Sequence, residues 1–292
     1  MSIAASAAPW LIPDWPAPGH VRALFTTRGA SEHDGASRGP YGFFNLGDHV
    51  GDDPVAVAAN RAHLTRALGG AQPGFLNQVH GTVVRDGCSP GNEPSAAGPA
   101  PAPTADAAVS NHPGRACTVM VADCLPVLFT NRAGTVVGAV HAGWRGLAAG
   151  VLQAALVSFR AAALAAPAPG AIKNTADDVL AWLGPCIGPR AFEVGAEVRT
   201  AFADADSGAA ACFAPHGAGK YLADLPALAR RVLAGQGVAA IYGNDSSDDW
   251  CTVARADRFF SYRRDQAALG GSGRMAACVW LTDQPARTKS HA

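Results

Sequence analysis

The sequence has no net charge, because 23 lysine and arginine residues balance 23 aspartate and glutamate residues. This balance disfavours nucleic acid and anionic membrane surfaces as partners. The sequence also lacks an apolar run long enough to span a bilayer, and residues 1–9 lack both the basic opening and the long apolar run of an export signal. We therefore expect a cytoplasmic protein that acts on small molecules.

Paired metal-ligand motifs are absent as well. The seven cysteines are odd in number and form no C-x-x-C pair, which argues against a disulfide framework and against a zinc ribbon. The nine histidines contain no His-x-His pair, so a multinuclear copper cluster has little support. Reduced thiols in the cytosol are the expectation, and most of them should behave as small buried apolar residues.

What the sequence does contain is enough apolar surface for a sizeable core, since 49% of residues are hydrophobic and only 16% are charged. Strand and helix patterns alternate without an internal repeat, which predicts an α/β fold. The predicted strands are 21–27, 75–80, 107–109, 117–122, 125–129, 136–140, 179–183, 238–242 and 275–281. The predicted helices are 54–68, 146–160, 193–202 and 225–233.

The domain organisation follows from the distribution of proline and of apolar residues. Residues 1–19 are predicted to form an irregular N-terminal arm, and 20–282 the main domain. Within that domain, 87–104 has the composition of a Pro-rich surface insertion, and 161–170 that of a linker. The polar residues 283–292 form a C-terminal tail.

A first candidate functional segment joins a predicted strand to a predicted helix. His141 follows the apolar run 136–140, and Gly143 and Gly146 permit a tight turn beside it. Arg145 offers a fork of donors to an anion at the start of the helix. A structural histidine and a surface ion pair are the alternative interpretations of these two side chains.

Two further metal-binding side chains also lie at the ends of predicted strands, namely His80 before Gly81 and Cys124 before Leu125. Two imidazoles and a thiolate are preferred zinc ligands, and three protein ligands leave a fourth position for water or substrate. His80, Cys124 and His141 are 44 and 17 residues apart, so only the fold can bring them together.

Five motifs resemble the YfiH family, whose members are called laccase-domain proteins, polyphenol oxidases or purine nucleoside phosphorylases. The resemblance extends from about Ile12 to Leu281. The motifs are Gln78-Val79-His80-Gly81, Ala122-Asp123-Cys124-Leu125-Pro126-Val127-Leu128, His141-Ala142-Gly143-Trp144-Arg145-Gly146-Leu147, Leu183-Gly184-Pro185-Cys186-Ile187-Gly188 and Phe260-Ser261-Tyr262-Arg263-Arg264-Asp265.

The resemblance implies a Zn²⁺ site made by His80, Cys124 and His141. It also implies a single-domain, mixed-sheet α/β sandwich similar to the catalytic domains of Rho-deamidating toxins. The implied activity is phosphorolysis of adenosine, inosine, guanosine and methylthioadenosine, with adenosine deamination in addition. Purine nucleosides and phosphate would then be the partners of a monomer or weak homo-oligomer.

Further roles are assigned to residues within or near these motifs. Asp123 is the carboxylate nearest in sequence to a ligand, so it is a candidate proton carrier, with helix capping as the alternative. Arg145 is the first candidate for binding phosphate, and Arg28 and Arg264 are candidate helpers. Gln78, two residues before a ligand, is a candidate substrate-binding residue.

Three rival functions stay open at this point. The first is a copper-dependent polyphenol oxidase, because Cu²⁺ binds a given set of donor atoms more tightly than Zn²⁺ does. The second is an amide hydrolase that edits peptidoglycan precursors, in which Cys124 is a nucleophile and His80 or His141 its base. A binding module without catalytic activity is the third.

Overall fold

The computed structural model of the protein describes residues 10–86, 94–95, 98–99, 101–166 and 178–283. Residues 1–9 of the predicted arm, most of the Pro-rich insertion and nearly all of the tail lie outside these residues. The predictions for those segments, and for the domain boundaries that they define, stay predictions. Within the described ranges no helix is long and apolar enough to cross a membrane.

The chain alternates between strands and helices along most of its described length. The strands are β1 (Trp10–Leu11), β2 (Val21–Thr26), β3 (Gln72–Gly74), β4 (Val84–Asp86), β5 (Pro94–Ser95), β6 (Gly98–Pro99), β7 (Ala107–Ser110), β8 (Arg115–Val121), β9 (Leu125–Asn131), β10 (Val137–Ala142), β11 (Val179–Leu183), β12 (Glu193–Val194), β13 (Phe213–Pro215), β14 (Tyr221–Ala223), β15 (Ala240–Gly243) and β16 (Met275–Leu281). The α-helices are α1 (Pro54–Ala67), α2 (Trp144–Ala149), α3 (Val151–Ala165), α4 (Ala196–Ala203), α5 (Leu225–Gly235) and α6 (Tyr262–Leu269).

Two large mixed sheets dominate the architecture. One sheet has the strand order β1-β2-β16-β8-β3, in which only the β3–β8 pair is parallel. The other has the order β15-β11-β9-β10-β7-β4, with parallel pairs at both edges and antiparallel pairs between them. Smaller sheets are formed by β12-β14-β13 and by β5-β6.

The two large sheets pack face to face because their strands are apolar on both faces. In β8, the alternate residues Cys117, Val119 and Val121 point into the core between the sheets, whereas Ala116 and Met120 point to the opposite side. Near-continuous apolar runs of this kind predict strands that are covered on both faces.

Helices cover the outer faces of both sheets. Helix α3 packs on the six-stranded sheet, where the rings of Phe159 and Phe129 lie 5.9 Å apart, and α5 joins the same core through Leu228. Helix α1 covers the five-stranded sheet through Leu64, and Asp53 caps it by accepting a hydrogen bond from the N–H of Val55. The result is the predicted mixed-sheet α/β sandwich.

The strand predicted over 75–80 is wrong, since only an isolated bridge at Asn77 lies in that segment and the neighbouring strand is β3. A side chain takes the place of a strand partner here. The amide of Gln78 donates to the carbonyl oxygen of Met120 and accepts from its N–H, both at 2.7 Å. The residue pattern alternates, but the segment forms a loop.

The helix predicted over 146–160 is two helices. Gly150 has a φ of 98°, a left-handed conformation that ends α2 and begins α3. Helix α3 then continues to Ala165, which lies inside the predicted linker, because the Ala- and Leu-rich sequence keeps a buried face. The helix predicted over 193–202 begins only at Ala196, since Glu193 and Val194 form β12.

Candidate metal centre and its cavity

Two of the predicted ligands come from neighbouring antiparallel strands. His141, near the end of β10, pairs in register with Pro126, near the start of β9. Cys124 directly precedes β9, so the two side chains lie at the same edge of the sheet. His141 shares a strand face with Val137 and Ala139, which point into the core between the sheets, and Cys124 packs against that core.

The third predicted ligand reaches this edge from the loop before β4. The rings of His80 and His141 are 4.7 Å apart between centroids and inclined at 70°. The Sγ of Cys124 is 3.5 Å from the Nε2 of His80. One donor atom from each of the three residues lies within 4.8 Å of the others, so the fold does bring the three side chains together.

Asp106, a residue that the sequence analysis missed, orients His141. It precedes β7, which pairs with β10, and its carbonyl oxygen accepts the N–H of His141 at 2.7 Å. Its fully buried carboxylate lies 2.8 Å from the Nδ1 of His141. Because an ionised carboxylate only accepts hydrogen bonds, Nδ1 carries the proton and Nε2 is left for a metal.

The same carboxylate holds the loop that carries His80. It accepts hydrogen bonds from the main-chain N–H groups of His80 at 2.9 Å, Gly81 at 2.7 Å and Val79 at 3.3 Å. His80 adopts a φ of 60°, a conformation that non-glycine residues rarely adopt. Asp106 therefore fixes two ligands at once. The sequence signal for it is a single acid directly before the buried run 107–110.

The electrostatics favour a thiolate beside charged imidazole. Burial raises the pKa of the Cys124 thiol, but His141 and His80 outweigh that effect and lower the pKa to about 6. Burial likewise lowers the pKa of His141, but the neighbouring Cys124 and Asp106 outweigh it and raise the pKa to about 9. The site therefore stabilises a deprotonated sulfur, the form that binds metals.

The donor set and the space around it fit a transition-metal ion. Two imidazoles and a thiolate suit zinc and also suit copper. A Cβ at Gly143 would lie 2.6 Å from the Cδ2 of His80 and 3.0 Å from the Sγ of Cys124, so glycine keeps the approach open. In the described part of the chain, no other three histidine, cysteine or acidic residues form such a group.

The three ligands face a cavity of about 760 Å³. That volume lies within the roughly 300–1,000 Å³ of small-molecule sites. Trp144 and Tyr262 contribute aromatic walls, and arginine side chains contribute positive charge. A ligand as large as a nucleoside fits a space of this size.

Three other predicted site residues line this cavity. The guanidinium of Arg145 is exposed, with its central carbon 4.5 Å from the centroid of the Trp144 ring. Gln78 lines the wall, although its amide is engaged by Met120. Asp123 also lines the wall, and its engaged carboxylate accepts from the Thr252 hydroxyl at 2.5 Å and from the N–H of Arg263 at 2.7 Å.

The structure places Arg28 and Arg264 outside the cavity lining. The guanidinium of Arg28 donates to the carbonyl oxygens of Gly42 and Ala256. That of Arg264 donates to three carbonyl oxygens and pairs with Asp265 at 2.7 Å. Both arginines therefore hold main-chain segments together.

Arg263 and Arg274 line the cavity instead. The sequence analysis assigned neither of them a role. Arg263 directly precedes the assigned Arg264 in the same motif, and its position inside that motif was the only signal for it. Arg274 directly precedes β16, so its signal was an arginine at the end of a buried strand.

Comparison with known proteins shows which proteins this chain is similar to. The family described as "Multi-copper polyphenol oxidoreductase laccase" matches residues 22–282. "Purine nucleoside phosphorylase PA4543" of Pseudomonas aeruginosa is 47% identical over 275 residues, covering 94% of this chain and 99% of that protein. "Purine nucleoside phosphorylase YfiH" of Escherichia coli is 47% identical over 272 residues, covering 93% and 98%.

Solved structures show the same fold. Protein NMB0706 of Neisseria meningitidis, from the family DUF152, superposes with a TM-score of 0.77 at 45% identity, covering 94% of this chain and 99% of that one. YlmD from Geobacillus stearothermophilus gives a TM-score of 0.80 at 28% identity, covering 97% and 100%. The mixed α/β sandwich is thus shared with these neighbours, whereas the likeness to Rho-deamidating toxins stays a prediction.

Proposed function

The chain belongs to the multi-copper polyphenol oxidoreductase laccase family, whose YfiH relatives are named above, and on that premise we propose that it is a zinc-dependent purine nucleoside phosphorylase. The observation that carries the proposal is the convergence of His80, Cys124 and His141 on one side of a nucleoside-sized cavity. The names of the relatives supply the substrate class. Adenosine, inosine, guanosine and methylthioadenosine are the proposed nucleosides.

His80, Cys124 and His141 would hold the metal, His141 through its Nε2. A bound zinc ion would supply Lewis-acid chemistry at an open coordination position. Asp106 keeps His141 in the required tautomer and keeps the His80 loop in place. Deamination of adenosine is the second activity that we propose for the same donor set.

Phosphorolysis asks for positioning and charge stabilisation rather than redox chemistry. A phosphate oxygen forms a bond to the ribose C1′ atom, the bond from C1′ to the purine nitrogen breaks, and the purine leaves with the electron pair and takes up a proton. The cavity supports both needs, because the Trp144 ring offers a flat apolar surface to a base and Arg145 offers donors to phosphate.

Two observations favour specific rivals. The low pKa of Cys124, about 6, and its 3.5 Å approach to His80 would also suit a nucleophilic thiolate in an amide hydrolase. The family description names a copper oxidase, and the donor set suits copper. Metal dependence separates the amide hydrolase from the two metal-dependent enzymes, because a nucleophilic cysteine keeps its activity when the metal is chelated.

The test is to incubate zinc-loaded, copper-free protein with adenosine, with and without phosphate, and to identify the products. We expect adenine and ribose 1-phosphate only when phosphate is present, and inosine in both reactions. His141→Ala should abolish zinc binding and turnover together, whereas His112→Ala, at an exposed histidine outside the cavity, should change neither. Adenine release that does not need phosphate would refute phosphorolysis, and turnover that survives chelation would refute zinc dependence.

A further inference from the structure

The cavity lining contains three arginines and two carboxylates, those of Asp48 and Asp123. Asp48 pairs with Arg61 at 3.1 Å. Asp123 accepts from Thr252 and from the main chain of Arg263. Both donors to Asp123 are neutral, so its carboxylate keeps its charge, but the three arginines of the lining outnumber its two carboxylates.

Arg274 is the most firmly held of these arginines. One terminal nitrogen donates to the carbonyl oxygens of Ser272 at 2.9 Å and Gly273 at 3.1 Å. The main-chain N–H of Arg274 donates to the Oδ1 of Asn45 at 2.8 Å. The side chain packs closely on Gly47, where an added Cβ would lie 2.7 Å from the Cγ of Arg274. These contacts fix the stem of the side chain and leave the guanidinium directed towards the cavity.

The guanidinium of Arg274 lacks a counter-ion in the part of the chain that the structure describes, where no carboxylate forms an ion pair with it. Its Nε and second terminal nitrogen have no hydrogen-bond partner there. Neither nitrogen is buried, so both are accessible to a ligand. Burial lowers the pKa of Arg274, and the negative charges of Cys124 and Asp123 offset this in part. A half-buried cation with two free donors is suited to bind an anion.

We propose that Arg274 is the fixed donor of an oxyanion subsite beside the metal ligands, with the exposed Arg145 as a movable second donor. This subsite rests on the proposed function, in which it holds the phosphate that attacks C1′. Arg145 lies in solvent on Trp144, so its charge is screened, whereas Arg274 is desolvated and attracts an anion more strongly.

The ligand class is a tetrahedral phosphate oxyanion, because a guanidinium with two free donors matches two of its oxygens. Inorganic phosphate and the phosphate group of a nucleotide share this chemistry. Calorimetric titration of the zinc-loaded protein with inorganic phosphate, and separately with adenosine 5′-monophosphate, distinguishes the two sources. Binding of phosphate alone identifies a co-substrate site, and binding of the nucleotide alone identifies a substrate phosphate.

The decisive variant is Arg274→Gln. We expect phosphate binding to weaken at least about tenfold, the value for the loss of one charge-assisted hydrogen bond. The KM for phosphate should rise by the same factor, while the KM for the nucleoside and the zinc content stay unchanged. Arg258→Gln is the matched control, because Arg258 is also half-buried but does not line the cavity. Unchanged phosphate affinity in Arg274→Gln would overturn the proposal.

A measurement on the unaltered protein covers the case in which Arg274→Gln does not fold. Phenylglyoxal modifies arginine side chains, and mass spectrometry locates the modified residues. We expect inorganic phosphate to protect Arg274 but not the exposed Arg132, and equal modification of Arg274 with and without phosphate would refute the subsite. Phosphate protection without any phosphorolysis would leave the subsite standing and overturn the proposed function.

Discussion

Replacing Asp106 by asparagine tests how far one buried carboxylate organises the metal centre. The two residues have the same shape, but asparagine carries no charge and exchanges one acceptor oxygen for an NH₂ donor. Four N–H groups converge on the carboxylate, from the ring of His141 and from the main chain of Val79, His80 and Gly81. In the variant, two of these four donors face another donor.

The magnitude follows from the two donors that lose their acceptor. A buried donor left without a partner costs about 1–3 kcal/mol, so we expect the free energy of unfolding of metal-free Asp106→Asn to fall by about 2–6 kcal/mol. The loss also removes the hydrogen bond that sets the His141 tautomer. Removing the partner of a metal-bound histidine typically lowers metal affinity about 10–100-fold, and we expect a fall in zinc affinity of that size.

Urea denaturation of the metal-free protein and a chelator competition for zinc measure the two effects separately. Asp257→Asn is the control, because Asp257 pairs with Arg255 on the surface at 3.0 Å and such pairs contribute at most about 1 kcal/mol. If Asp106→Asn bound zinc with the affinity of the unaltered protein, Asp106 would not be a positioning residue for the ligands.

Two further predictions concern residues around the site. Gly143→Ala should weaken zinc binding more than about tenfold with little change in the unfolding midpoint, because the added Cβ would contact His80 and Cys124. Zinc titration checks this. The control is Gly235→Ala, where an added Cβ meets nothing within 4 Å. Arg264→Gln should destabilise the fold by about 2–4 kcal/mol without changing the KM for phosphate, since the donors of Arg264 bind main-chain carbonyls. A raised KM for phosphate in a stable variant would instead support the predicted substrate role of Arg264.

The core strands could be predicted from the sequence because burial on both faces leaves an uninterrupted apolar run. The strand Met275–Leu281 was predicted with its exact bounds, and Val21–Thr26 to within one residue. The strand predicted over 75–80 was wrong because the Gln78 amide bonds the main chain of Met120 and the Asp106 carboxylate bonds the main chain of His80. No local pattern reveals a partner that lies 42 or 26 residues away along the chain.

The residues of the candidate site could likewise be predicted only in part. The three candidate ligands could be named from the sequence because imidazole and thiolate have few rivals as zinc donors, and the family resemblance joined them across the chain. The arginines could not be sorted, because each guanidinium carries the same charge and only its neighbours decide its role. The guanidinium of Arg264 donates to carbonyl oxygens around it, whereas two nitrogens of the Arg274 guanidinium have no hydrogen-bond partner among the described residues.

The shared hold of Asp106 on His80 and His141 has a consequence for how the protein acquires its ion. Asp106 joins the loop that carries His80 to the strand that carries His141 through hydrogen bonds of the protein alone, so under the proposed function loading would need neither segment to become ordered. A preformed pair of imidazoles beside a thiolate selects weakly between zinc and copper. Under the proposed function, the metals available where the chain folds would then decide whether zinc or copper occupies the site.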